Sequence, residues 1–140
     1  MMKSEVNALT GKALDWAVAK HDGRPIRWDP MGFNTGPEAG YWVWDEGNGS
    51  KPVFELIGRE YSPSTIWAQG GPIVEKLRGL SKHNFFIESD GPNVHVMAWV
   101  TQHLFFSGYG PTLLIAAMRC YVAAQSGNEI DLPALLASQA

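Results

Sequence analysis

Ala13, Leu14, Ala17 and Val18 recur three and four residues apart, the spacing of one helical face, and predict a helix near the amino terminus. Thr10 stands where a capping residue belongs, Leu9 and Leu14 occupy staple positions, and Gly23 marks the stop. Lys20 and His21 fall in its last turn, where positive charge complements the carbonyl end of the helix dipole, so His21 reads as structural. A second strong helical signal begins at Gly110-Pro111-Thr112 and runs from Leu113 to Ala124, with Gly127 as its stop. It is apolar nearly all round, and such a helix belongs in the middle of a domain.

Between these helices the pattern is that of short strands. Extended pieces are expected at 26–28 and 41–44, separated by a segment containing Pro, Gly and Asn. Residues 45–50 read as a hairpin connection into a strand over 52–57. Residues 62–71 read as a linker, followed by a short helix over 73–77 with Pro72 in its first turn. Two further strands are expected at 84–88 and 94–100, joined by the turn 89–92. Alternation in the second puts Val94, Val96, Ala98 and Val100 on one face and His95, Met97 and Trp99 on the other, both at least partly covered. The aromatic, Gly-rich string 102–110 suits a loop over the start of the last helix, and 129–132 an edge segment. The expected fold is α+β: one domain over residues 1–140, with a small, mostly antiparallel sheet around two longer helices and one short one.

Composition narrows the function classes. A chain of 140 residues, 45% hydrophobic and 18% charged, can bury a core without staples. A net charge of −3 gives no general attraction to phosphate backbones, which disfavours nucleic acid as a partner. Lys76, Arg78, Lys82 and His83 gather loosely and read as a solvated helix end. The single Cys120 lies in the most apolar stretch and reads as a buried small hydrophobe suited to a reducing cytoplasm. The longest strongly apolar run, Leu113 to Met118, is far below the roughly 20 residues that span a bilayer, and the amino terminus has no export signal, so no membrane contact is expected.

Three stretches carry a family likeness: residues 9–19 (LTGKALDWAVA), 61–72 (YSPSTIWAQGGP) and 110–121 (GPTLLIAAMRCY). In this order the chain resembles the NinX-like phage proteins. The resemblance implies a small protein of tailed phages and of prophages in enteric bacteria, and it implies no particular activity. Where the family pattern has an acidic residue between Thr and Trp of the middle motif, this chain has Ile66, so no acid/base or metal role attaches to that position.

The candidate chemistry centres on the two Gly-Pro helix starts, Gly70-Gly71-Pro72 and Gly110-Pro111-Thr112, because a helix amino terminus offers free N–H groups and a positive dipole end to an anion. Tyr61, Ser62, Ser64, Thr65, Trp67 and Gln69 add hydroxyl and amide groups and rings able to stack on a base. Together with Arg119 they outline a site for a nucleotide-like or other anionic small molecule. The competing structural reading has a serine capping a turn, the glycines making a tight bend and Trp67 filling the core. Neither phosphate-loop spacing is present. Arg119, the one charge inside the last helix, calls for a buried carboxylate partner.

His21, His83, His95 and His103 lack metal-ligand spacing, and Asp15, Asp22, Asp45 and Glu46 form no recognisable acid/base pair, so no catalytic residue, metal or cofactor is assigned. A reading of a different class is a module that binds a host protein, with Trp42 and Trp44 as exposed anchors. An enzyme acting on a nucleotide is the weakest alternative, for want of a general base.

Overall fold

The computed structural model describes residues 2–29 and 40–137. Its elements run β1 (Met2–Glu5), a 3-10 turn (Val6–Ala8), α1 (Gly11–His21), β2 (Ile26–Asp29), β3 (Gly40–Asp45), β4 (Val53–Leu56), α2 (Trp67–Leu80), β5 (Asn84–Asp90), β6 (Asn93–Trp99), β7 (Phe105–Gly110), α3 (Leu113–Ser126), β8 (Glu129–Leu132) and α4 (Ala134–Ala137). The fold is α+β, as expected. Its strands, however, form three small antiparallel sheets, ordered β1-β8, β2-β3-β4 and β5-β6-β7, in place of one.

The nearly all-apolar helix α3 occupies the centre. It packs against β6 and β7 on one side and against α1 and α2 on others. Ala116, Ala117, Met118, Cys120 and Val122 are wholly enclosed, and burial of each larger apolar side chain contributes about 1.5–3 kcal/mol. The helix lies close against β7 because Gly108 has no side chain there. A Cβ on Gly108 would stand 2.2 Å from the Ala116 carbonyl oxygen and 2.4 Å from the Cys120 nitrogen.

Several elements depart from expectation. Thr10 occupies the cap position of α1, but its side chain makes no capping bond. Residues 67–71, read as linker, form the first turn and more of α2, so Pro72 sits inside the helix. Its missing N–H leaves the carbonyl of Ala68 without the usual i−4 donor, a cost that the packing of α2 against α3 offsets. The string 105–110 is strand β7, and Gly110 therefore ends a strand and does not start a helix. The strand β1, which pairs with β8 from Met2↔Leu132 to Glu5↔Glu129, has too little apolar content to announce itself. The expected turn-rich segment between β2 and β3 lies largely at 30–39, outside the described residues.

No helix among the described residues is long and apolar enough to cross a membrane. The basic cluster is partly neutralised: Lys76 pairs with Asp22, and Arg78 with Glu75 at 3.3 Å.

Candidate functional site

The segment 61–71 turns around a residue that sequence reasoning passed over. Asp15, on α1, is wholly buried. Its carboxylate accepts the Ser62 hydroxyl at 2.9 Å and the Ser64 backbone N–H at 3.0 Å. Burial pushes its pKa above the ordinary carboxylate range, and the bonds from Ser64 and Ser62 hold it down only in part. A buried acid beside a serine has the look of a catalytic pair. No solvent reaches the carboxylate, however, and it serves as the peg on which the loop hangs. The available signal was a lone acid within an otherwise apolar helical run.

Other polar groups of the segment are also satisfied internally. The Ser62 and Thr65 hydroxyls lie 2.6 Å apart. Gln69 accepts from the Ser62 N–H and donates to the Glu60 carbonyl at 2.7 Å, tying the first turn of α2 back to the loop. Tyr61 is buried, its phenol held well above its ordinary pKa by desolvation. Gly70 is a close-approach position, where a Cβ would stand 2.3 Å from the Pro63 carbonyl oxygen and 2.7 Å from Leu114. Gly71 faces open space.

Among the described residues Arg119 has no carboxylate partner, contrary to the sequence expectation. Its Nε and Nη2 donate to the Leu9 carbonyl at 3.0 and 2.9 Å, and Nη1 donates to the Tyr109 carbonyl at 2.6 Å. The guanidinium thus joins α3 to the chain entering α1 and to β7. Two backbone carbonyls take the donors of its planar fork, though neutral oxygens offset its charge less than a carboxylate would. Burial lowers its pKa, with no carboxylate to oppose the shift.

Four nominated residues do share a surface. Ser64, Thr65, Trp67 and Thr112 line a shallow groove of about 290 Å³, floored by Leu113, Leu114 and Ile115. Trp67 is 57% exposed at its rim, in place of the core position the structural reading gave it. Thr112 caps α3 by accepting the Ile115 N–H at 3.1 Å. The groove therefore adjoins the amino termini of α2 and α3, and neither helix has an acidic residue in its first turn.

The other conspicuous surface is the outer face of the β5-β6-β7 sheet. Val96 and Ala98 point inward onto α3, so His95, Met97 and Trp99 point out, with Phe86 on β5 and Phe105 and Tyr109 on β7 beside them. His95 stacks on Tyr109 at 3.9 Å and Trp99 on Phe105 at 4.4 Å. The rings cover one another, and no helix or second sheet covers them among the described residues. Phe86, Phe105 and Tyr109 remain 41%, 43% and 42% exposed. The anchors expected at Trp42 and Trp44 are not free: Trp42 is buried, and Trp44 is half-buried between Phe54 at 4.6 Å and Arg27 at 4.7 Å. Sequence alternation separated the two faces of β6 correctly. What it could not supply was that the helices all gather on one of them.

No group of three or more potential metal ligands occurs among the described residues. No curated protein matches the chain. The family model described as "Bacteriophage P22, NinX" matches residues 5–125. That span runs from the end of β1 nearly to the end of α3 and takes in all three diagnostic stretches, so the chain belongs to the phage P22 NinX family.

Proposed function

We propose that this phage protein is an interaction module that engages a host protein through the outer face of the β5-β6-β7 sheet. The observation that carries the reading is the cluster of exposed Phe86, Phe105 and Tyr109 around Met97, Trp99 and His95. Contiguous apolar surface rimmed by polar residues is costly in water and marks a docking site. A protein partner fits better than a nucleic acid. The stacking rings would suit bases, but Glu88, an acidic residue, stands beside them opposite His95, and a strand-binding groove needs Lys or Arg to track phosphates. The test compares wild type with Phe86→Ser/Phe105→Ser/Tyr109→Ser, both shown folded by circular dichroism. Each is used as bait in host extract, and any protein retained is then titrated in purified form. A partner bound by wild type and at least about tenfold weaker with the variant supports the reading. Equal binding by both overturns it.

A second reading is favoured by the groove at Trp67. An anionic small molecule with a planar group would stack on the indole and meet the first N–H groups of α2 and α3. Of the nominated ligand residues, Ser64, Thr65, Trp67 and Thr112 would touch it, while Tyr61, Ser62, Gln69, Gly70, Gly110 and Arg119 would support it from behind. A thermal-shift screen with nucleotides, dinucleotides and sugar phosphates tests it. Ligand at a hundred times its Kd adds about 2.7 kcal/mol, and Trp67→Ala should abolish the shift. A panel without a shift removes this reading and leaves the first standing.

A further inference from the structure

We infer that β5 pairs antiparallel with β5 of a second copy of this chain about a two-fold axis at Ile87, joining two three-stranded sheets into one of six strands. β5 is an outer strand of its sheet and, at seven residues, is longer than either strand of the β1-β8 ribbon and than β2 or β4, the outer strands of the second sheet. Every residue along it except Phe85 is exposed, and Ile87 at its centre is 50% exposed. Between Asn84 and Asp90 it has no Pro, no Gly and no Lys to blunt the edge, and its charges, Glu88 and Asp90, are confined to the exit end. The opposite edge of the same sheet is engaged, since the Tyr109 N–H donates to the Asn7 side chain at 3.1 Å and β7 packs against the 3-10 turn.

Charge selects the occupant and its direction. The approach to β5 is basic, Lys82-His83, and its exit is acidic, Glu88 and Asp90. None of Lys82, Glu88 and Asp90 has an ion-pair partner among the described residues. A two-fold axis at Ile87 sets Asn84 opposite Asp90, Phe85 opposite Ser89 and Phe86 opposite Glu88 of the second copy, and Ile87 meets its own counterpart. By the same register Lys82 of each copy lies diagonal to Asp90 of the other, on the same face and two positions off, so the strand is complementary to itself in this direction alone. Parallel pairing in register would set acid against acid. The alternation of faces is preserved, so Phe86 of both copies lies on the outer side, and the two aromatic faces become one continuous surface. The dimer does not depend on that surface binding anything.

Sedimentation equilibrium of the full chain at low salt tests the inference, with circular dichroism verifying each variant's fold. The wild type should be a dimer. Ile87→Pro should be a monomer, because it removes a backbone donor from the pairing edge. Lys82→Glu should raise the dimer Kd by about tenfold, and adding Asp90→Lys to it should restore the affinity, since the charges are then exchanged across the axis. If Ile87→Pro perturbs the fold, the charge-exchange pair decides. A monomeric wild type, a dimer unaffected by Lys82→Glu, or a failure of Asp90→Lys to rescue it each overturns the inference.

Discussion

Asp15 and Ser62 lie 47 positions apart in sequence and 2.9 Å apart in space. This single contact, with the Ser64 N–H on the other carboxylate oxygen, fixes where the family's most particular segment crosses α1. Removing the acceptor leaves the buried Ser64 N–H without a partner and the Ser62 hydroxyl with only Thr65 to bond, at roughly 1–3 kcal/mol for a stranded donor. Asp15→Ala should therefore destabilise by about 3 kcal/mol, whereas Asp15→Asn, which keeps one acceptor and the shape, should cost about 1 kcal/mol. Urea unfolding of the three proteins measures both.

The pH dependence of the same contact has a definite sign. Desolvation raises the folded-state pKa of Asp15 above the ordinary 3.8. The unfolded chain gives up this proton first, so the stability the group contributes is fully present below 3.8 and is lost as pH rises through the folded value. The stability difference between wild type and Asp15→Asn should accordingly shift against wild type as pH rises across that window. A difference independent of pH would refute the assignment.

Arg119 satisfies two backbone carbonyls with three bonds. Arg119→Met should cost about 3 kcal/mol by stranding them, and Arg119→Lys less, because an ammonium still donates to one carbonyl although its flexible stem cannot span both as the fork does. Denaturant midpoints distinguish the two. Equal losses would mean that packing of the stem, and not the guanidinium, carries the effect.

Two glycines should respond in opposite directions to the same substitution. Gly108→Ala drives a methyl into the backbone of α3, so a loss of at least about 3 kcal/mol, or failure to fold, is expected. Gly79→Ala, in α2 with open space around it, should stabilise by about 0.5–1 kcal/mol through lower chain entropy and better helix propensity. Thermal unfolding of both variants tests the pair.

Burial pushes the Cys120 thiol up to about 12, and its Sγ lies 3.5 Å from the Phe106 carbonyl. The native protein should resist alkylation at pH 8 and react fully in denaturant. Mass spectrometry of iodoacetamide-treated samples reads this directly, and rapid native labelling would contradict the burial of Cys120 between α3 and β7.

The sequence disclosed most where local pattern and tertiary demand agree. The period of α1, the nearly all-apolar α3 and the alternation along β6 each survive because the buried face is the one the pattern marks. It disclosed least where tertiary packing overrules local chemistry. Pro72 belongs by propensity at a helix start, yet α2 begins five residues earlier, with Gly70 fitted against Pro63 and Leu114. The candidate site was legible in composition but not in orientation. Hydroxyls that look available for a ligand are turned toward Asp15 and one another, whereas Trp67, which looks like core, is turned outward. Nothing in the string 102–110 distinguished a loop from β7, because a strand of three aromatics, two glycines and a serine gains its stability from the helix pressed against it.

The β1-β8 ribbon also determines how the molecule yields to force. Met2 lies opposite Leu132 and Glu5 opposite Glu129, so a pull applied through the two outer ends loads the ladder at one end. The hydrogen bonds then open one pair after another, as in a zipper, and are not sheared together. The ribbon should part at low force before the helical core around α3 is strained, leaving that core to hold the load.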